Sequence, residues 1–189
     1  MSLTSAQKAT LKAAILADPT LNAFPNGADG NYDLAAKLSN EAAVGTFFVY
    51  RTNVNPQDIF DQVTWANLTP TDAPDTTQVW ANRALECQGK QFNLQILVQG
   101  QTAINAARSN VRAGLQDALT NVPSGAGGST VAAGWVGVRD NVLGRQATRI
   151  EKIFATTTVQ QDGTTMAKSA TMTYEGVIGG PDVQDARNS

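Results

Sequence analysis

The sequence predicts a mainly α protein, a helical bundle with a C-terminal β-hairpin arm and an extended tail. Apolar residues recur at spacings of three and four over most of residues 4–154, which is the period of a helix with one buried face. After the bundle, β-branched and aromatic residues surround the turn signal Asp162-Gly163, which favours a hairpin. A short tail of mixed charge follows. We therefore expect a bundle over residues 1–155, an arm over 156–178 and a tail over 179–189.

The N-terminal region contains two predicted helices. Thr4 and Gln7 form a T-x-x-Q capping box at the start of the first helix, and Asp18-Pro19 ends it. The turn signal Asp29-Gly30 separates this helix from a second one, which we expect over residues 32–40.

In the middle of the chain, the sequence predicts four further helices and one short apolar segment before them. Residues 46–51 are apolar and β-prone, so they form either a short strand or a buried connector. Asn55-Pro56 supply the N-cap and first residue of the next helix. Longer helices are expected over residues 76–99, 102–122 and 129–154, the last of them broken at its glycines.

The charge of the chain argues against two classes of function. The net charge is −2 and the sequence contains no block of five or more basic residues, so we expect no sequence-specific nucleic-acid binding. It contains no run of about 18 apolar residues, so no membrane span is expected. The polar N-terminus lacks a signal-peptide core, and we expect synthesis in a cytoplasm.

The low proportion of charged residues has two interpretations. Charged residues make up 16% of the chain, against about 25% in a typical soluble domain. Such a surface suits a protein that is largely covered by neighbours. It also suits a soluble protein with a neutral polar surface, and composition does not separate the two.

The residue types needed for most catalysis are missing. Histidine is absent, which removes the usual general base and metal ligand. Cys87 is the only cysteine, and we expect it to be a buried thiol inside a helix. No catalytic, cofactor-binding or metal-binding residues are therefore predicted.

Paired carboxylates are the remaining candidates for chemistry. Two carboxylates can work as acid and base if their surroundings separate their pKa values. Each pair here lies near a predicted helix start or in the tail, where capping and the helix dipole explain it better. The pairs are Asp58 with Asp61, Asp72 with Asp75, and Asp182 with Asp185.

Three other features have a structural and a functional interpretation. Trp65, Trp80 and Trp135 could line a ligand cage, although tryptophans in a small helical domain are usually core or interface anchors. The glycine-rich residues 125–128 lack the lysine of a phosphate loop. Charged residues around Arg149 form either an interface or a solvated helix face.

Several segments along the chain carry a resemblance to a known group. They are residues 3–19 (LTSAQKATLKAAILADP), 49–52 (VYRT), 67–69 (NLT), 147–156 (ATRIEKIFAT), 170–176 (ATMTYEG) and 182–188 (DVQDARN). In this order they resemble a group of tailed-bacteriophage virion proteins. The pair ATR-x-EK-x-FAT and ATMT-[YF]-EG is the more specific part of the likeness.

The resemblance implies a structural protein of the virion, assembled in the host cytoplasm. The position it favours is the head–tail junction, as an adaptor that joins the portal protein to the tail. Copies would form a ring, a dodecamer if the ring matches the portal, and contact the next tail component, a nozzle or tube. The alternatives are a capsid decoration, head-completion or tail-tube protein. A virion-associated hydrolase using Asp or Glu alone is the third class.

On this interpretation the arm and the tail contact neighbouring proteins. The arm would clasp an adjacent copy or the next tail component, and the tail would become ordered on the portal. Its loop over residues 160–169 is longer than in the group, so it is expected to reach a different neighbour. The expected interface residues are Thr158, Val159, Met172, Tyr174, Asp182, Val183, Asp185 and Arg187.

Overall fold

The computed structural model describes residues 3–68, 80–124, 129–156 and 162–189, without the side chains of residues 80–83. The described chain is mainly helical with small two-stranded sheets, which confirms the predicted class. It forms two compact units, Met1–Val49 with Gln146–Ser189, and Tyr50–Arg145. The predicted boundaries at residues 155 and 178 do not coincide with the boundaries of these units.

The first unit begins with three helices, α1 (Ser5–Ala17), α2 (Pro19–Asn22) and α3 (Ala28–Asn40). The predicted capping box is present, with Gln7 N donating to Thr4 Oγ1 at 3.3 Å and Thr4 N donating to Gln7 Oε1 at 2.9 Å. The predicted start of α3 at residue 32 is too late. Gly30 lies inside the helix, where a Cβ would meet Pro25 O at 2.2 Å, so this glycine permits a close approach.

The C-terminal part of the first unit contains two helices and a small hairpin. They are α8 (Arg149–Phe154), β5 (Ala155–Thr156), a 3₁₀ turn (Met166–Lys168), β6 (Thr171–Met172) and α9 (Gly180–Asn188). Strands β5 and β6 are antiparallel, with Ala155 opposite Met172 and Thr156 opposite Thr171. Ala170 and Met172 are buried with Phe47 and Val49 of the same unit. The hairpin therefore packs on its own chain, an outcome that periodicity alone left open.

The prediction of an extended tail over residues 179–189 is wrong. Helix α9 packs against α1 and α3, and the side chains of Val183 and Ala186 are fully buried. A nine-residue helix has little stability alone, so α9 is stabilised by its packing against α1 and α3. The sequence of this segment did not indicate that packing. The core of the first unit includes Leu3, Leu11, Ile15, Leu21, Leu34, Leu38, Ile150, Phe154, Ile178 and Val183.

The chain enters the second unit within β1 (Phe48–Tyr50) and leaves it within β4 (Gly144–Gln146). Its other elements are α4 (Pro56–Gln62), a 3₁₀ turn (Trp65–Leu68), α5 (Trp80–Val98), α6 (Ser109–Leu119), β2 (Val122–Pro123), β3 (Thr130–Val131), α7 (Trp135–Gly137) and a π-helical turn (Val138–Leu143). Strands β2 and β3 are antiparallel. Cys87 is 1% exposed, which confirms its predicted burial.

The predicted helix over residues 102–122 is shorter in the structure. It starts at Ser109, because Ile104 instead exchanges two backbone hydrogen bonds of 2.9 Å with Val54. The Arg112 guanidinium lies 3.8 Å from the centre of the Tyr50 ring, and its Nη1 donates to the carbonyls of Ala106 and Ala107. The backbone polar groups of Ile104, Ala106 and Ala107 therefore find hydrogen-bond partners without a helix over residues 102–108.

The helix over residues 129–154 was expected to break at Gly134, Gly137 and Gly144; the breaks at Gly134 and Gly144 are confirmed, but the chain is not helical over the whole of the rest. The chain there forms β3, α7, the π-helical turn, β4 and α8. Gly134 has φ +102, and a Cβ at this position would meet Gln62 O at 2.1 Å. A left-handed residue packed this tightly interrupts the helix, and only glycine fits it.

Candidate interaction surface

A slot of about 300 Å³ opens on the surface of the first unit. Its walls come from the end of α1, from α2, from the segment after α3 and from α8. Apolar surface dominates the lining. The lining residues are Asp18, Leu21, Ala43, Val44, Arg149, Lys152 and Ile153.

A network of ion pairs borders the slot. Arg149 Nε lies 3.1 Å from Glu41 Oε2, although the two are not aligned as a hydrogen bond, and Arg149 Nη1 lies 3.8 Å from Asp18 Oδ2. Lys37 Nζ contacts the other Glu41 oxygen at 2.8 Å. The Arg149 side chain is 17% exposed, so its pairs are only partly screened by water.

Both carboxylates at the slot have lowered pKa values. Hydrogen bonds from the Thr20 hydroxyl and backbone N–H, at 2.7 and 2.8 Å, lower the pKa of Asp18, and Arg149 adds to this. The hydrogen bond from Lys37 lowers the pKa of Glu41. Carboxylates held in the ionised form are poor proton donors, so this arrangement does not suit general acid catalysis at neutral pH.

The rim of the slot combines a cation with an exposed apolar side chain. Lys152 Nζ donates to Val44 O at 2.8 Å and lies 5.3 Å from the centre of the Phe47 ring. The Val44 side chain is 63% exposed beside this lysine. Such a rim suits the docking of an apolar side chain next to an acidic group.

Four segments of the chain that carry the resemblance fold into this same unit. Residues 3–19 form α1 and its end, and residues 147–156 form α8 and β5. Residues 170–176 include β6, and residues 182–188 lie in α9. Helix α1 contacts both α8 and α9. Asp18 and Arg149 meet at the slot although they are far apart in sequence.

The predicted interface residues of α9 mostly serve the fold. Asp182 Oδ2 accepts from Gly179 N at 3.0 Å and caps the helix. Val183 is fully buried. Arg187 donates to Phe24 O, Pro25 O and Asn31 Oδ1. Asp185 has a 60% exposed side chain, which pairs with Lys8 at 2.8 Å.

The described interface residues predicted for the arm also pack within the first unit. Met172 is 8% exposed in the cluster around Phe47. Tyr174 packs against Phe154 with ring centres 5.3 Å apart, and its hydroxyl donates to Val177 O. Burial raises the pKa of Tyr174, and Asp182 adds to the rise. Thr158 and Val159 lie outside the described residues.

Sequence reasoning missed the exposed Val44, and it missed Ala43, which is 5% exposed, as part of the slot lining. The available signal was an apolar run directly after the end of α3, outside any predicted element. The sequence also left open that the charges around Arg149 form a solvated helix face, and this holds for Lys152, which is exposed, but not for Glu151. Glu151 is 2% exposed, because it completes a capping box with Thr148.

The other candidates for chemistry have structural roles where the structure describes them. Asp58 lies in the first turn of α4, and Asp61 accepts from Gln57 Nε2 at 2.7 Å. Asp72, Asp75 and residues 125–128 lie outside the described residues. Within the described ranges, no group of three or more acidic or cysteine side chains is placed to hold a metal ion.

The tryptophans do not form a cage in the described side chains. Trp135 is 9% exposed in the core of the second unit. Trp65 is 52% exposed, and its ring is tilted against the Phe60 ring with the ring centres 5.8 Å apart. The side chain of Trp80 is outside the description. Among the helices of the described residues, none has the length and apolar character needed to cross a membrane.

Comparison with known proteins adds no relative. The chain matches no protein-family model, no curated protein and no solved structure. The function is therefore inferred from the residues, from the geometry of the first unit and from the resemblance of the segments.

Proposed function

We propose that this protein is a non-enzymatic structural component of a tailed-phage virion, in the form of a head–tail adaptor. The observation that carries the proposal is the slot beside Val44, which lies in the unit that gathers four of the segments of the resemblance. An apolar slot with a cationic rim suits contact with another protein. The ionised carboxylates beside it do not suit acid catalysis.

The proposed assembly is a ring of copies between the portal protein and the next tail component, with a dozen copies if it matches the portal. Because a ring contact is heterologous, one surface of a copy meets a different surface of the next. Thr158 and Val159 of the arm remain the proposed contact with an adjacent copy, since Met172 and Tyr174 pack within their own unit. The slot takes over the role of portal contact that the sequence suggested for the tail, since α9 is packed into the fold.

Cross-linking mass spectrometry on purified particles, with copy number quantified, tests the location. The adaptor proposal predicts about a dozen copies per particle, cross-linked to the portal protein. Hundreds of copies cross-linked to the shell would instead identify a decoration protein. Absence from purified particles would refute a virion role.

A pair of matched substitutions tests the slot. Val44→Glu places a carboxylate at the rim, whereas Val177→Glu makes the same change at a residue of the same unit that is 71% exposed and lies outside the slot lining. Both side chains are exposed, so both variants should fold. We expect Val44→Glu to lower attachment of tails to heads at least tenfold, and Val177→Glu to leave it unchanged. Equal attachment by both variants would rule out the slot as the contact.

A further inference from the structure

Helix α5 of the second unit has apolar side chains on two faces. Cys87, Leu94 and Val98 are each 1% exposed and belong to the core of the unit. On the opposite face, the side chain of Leu85 is 69% exposed and that of Phe92 is 61% exposed. Ile96 is 59% exposed on the same outer stripe. Three large apolar side chains on one exposed stripe differ from the scattered ones that most surfaces carry.

The outer stripe has a symmetric spacing. Leu85, Gly89, Phe92 and Ile96 are separated by four, three and four residues, which is the spacing of a coiled-coil seam. This order is the same when read in either direction. Gly89 leaves open space, since a Cβ there would find nothing within 4 Å.

We propose that this stripe binds the same stripe of a second copy of the chain, with the two α5 helices antiparallel. In that arrangement Phe92 of each copy lies over Gly89 of the other, and Leu85 lies beside Ile96 of the other. The largest side chain of the seam then faces its smallest residue, and the two ends of the seam pair one aliphatic side chain with another, an arrangement that permits close packing. A parallel pair would set Phe92 against Phe92 and leave a gap at Gly89.

The flanks of the stripe are compatible with this pairing. They carry the exposed amides Gln88, Asn93 and Gln95, which can exchange hydrogen bonds across the seam. Lys90 is turned to the chain's own α6, where its Nζ donates to Asp117 O at 2.7 Å. Glu86 of one copy lies about 13 Å along the axis from Glu86 of the other in the antiparallel pair, so like charges are kept apart.

The size of the stripe limits the strength of the pair. The exposed parts of the three apolar side chains amount to roughly 350 Å² per copy, or about 700 Å² in the pair, below the 1,200 Å² of a stable interface. We therefore expect a weak dimer whose population rises with concentration. The contact is isologous, so it is distinct from the contacts of a closed ring and does not depend on the proposed function.

Sedimentation velocity over a wide concentration range tests the dimer. Wild-type protein should show a concentration-dependent shift from monomer to dimer. Phe92→Asp should raise the dissociation constant at least tenfold, while Val136→Asp, at a residue of the same unit that is 56% exposed, should leave it unchanged. Circular dichroism of each variant verifies the fold.

A size swap tests the opposition of Phe92 and Gly89. Gly89→Phe should weaken the dimer, because two phenylalanines then compete for one place. The double variant Gly89→Phe/Phe92→Gly restores one large and one small residue at each pair and should recover association. Failure of the double variant to exceed the single one, with folding unchanged, would overturn the proposed register.

Disulfide mapping determines the direction of the helices. A mixture of Leu85→Cys and Ile96→Cys proteins should form the mixed disulfide, because these positions face each other. Each variant alone should form little, since Leu85 is about 16 Å along the axis from its own copy. A protein that stays monomeric throughout overturns the proposal. Equal cross-linking of identical positions overturns the antiparallel arrangement.

Discussion

Arg187 Nη1 donates to Asn31 Oδ1 at 2.8 Å and ties α9 to α3. The same guanidinium donates to Pro25 O at 2.9 Å and to Phe24 O at 3.0 Å. Asn31 is 2% exposed, so its side chain depends on this partner rather than on water. The C-terminal helix is therefore part of the framework of the first unit.

Arg187→Ala should lower the free energy of unfolding of the first unit by about 2–3 kcal/mol, because it removes a charged donor and leaves a buried amide unsatisfied. Asp185→Ala is the control, since its pair with Lys8 is on the surface and should be worth no more than about 0.5 kcal/mol. Urea unfolding followed by circular dichroism measures both. Equal losses would contradict the role given to Arg187.

Two adjacent residues of α9 should respond to the same substitution with very different losses of stability. Val183 is fully buried, and Val183→Asn should cost about 2–4 kcal/mol, because it places an unpaired amide in an apolar core. Gln184 is exposed, so Gln184→Asn should change stability by no more than about 0.5 kcal/mol. Thermal unfolding compares the two variants. A small effect at Val183 would support a detachable tail.

Two glycines of the second unit should differ in sign on substitution by alanine. Gly134→Ala should cost at least about 2 kcal/mol, because φ is +102 and the new Cβ would collide with Gln62 O. Gly89→Ala should stabilise by about 0.5–1 kcal/mol, since it lies inside α5 with open space around it. Denaturant unfolding of dilute protein gives both values. Two changes of the same sign would contradict the geometry at one of the sites.

The pKa of Asp18 should depend on Thr20. Thr20→Val removes the hydroxyl that contributes most to the lowered pKa, so the pKa should rise toward its ordinary value. Because the folded-state pKa is below the unfolded one, the stabilisation is present above the unfolded pKa and is lost as pH falls through the folded one.

NMR titration of the Asp18 carboxyl group measures this effect. Thr10→Val is the control, because the Thr10 hydroxyl bonds within α1 to Ala6 O. The Thr20 variant should also lose less stability than wild type as the pH falls, because a smaller part of its stability comes from the lowered pKa of Asp18. An unchanged pKa of Asp18 in Thr20→Val would contradict the assignment of its cause.

The residues at helix N-termini were the most predictable part of the fold. The capping box of Thr4 and Gln7 and the N-cap at Asn55 are present as expected, because each depends on atoms within three residues. The burial of Cys87 was expected because a cysteine inside a helix is usually a buried thiol. The assignment to a phage virion rests on the resemblance and stays a prediction.

The errors lie where distant residues decide the backbone. The apolar spacing over residues 102–122 favoured one helix, yet the backbone of Ile104 is hydrogen-bonded to Val54 instead of to a helical neighbour. The slot could not be predicted, because it forms only where Val44 lies beside α8. No local sequence pattern specifies that these two segments are in contact.

Local hydrogen bonding and apolar spacing in the sequence determined the mainly α class and the helix caps, and composition alone removed histidine as a catalytic residue. Only the tertiary structure decided that residues 180–188 form a helix, since a helix of this length gains its stability from the surface that it covers. Only the tertiary structure brought Asp18 to Arg149, because ion pairs between distant residues follow from packing rather than from spacing.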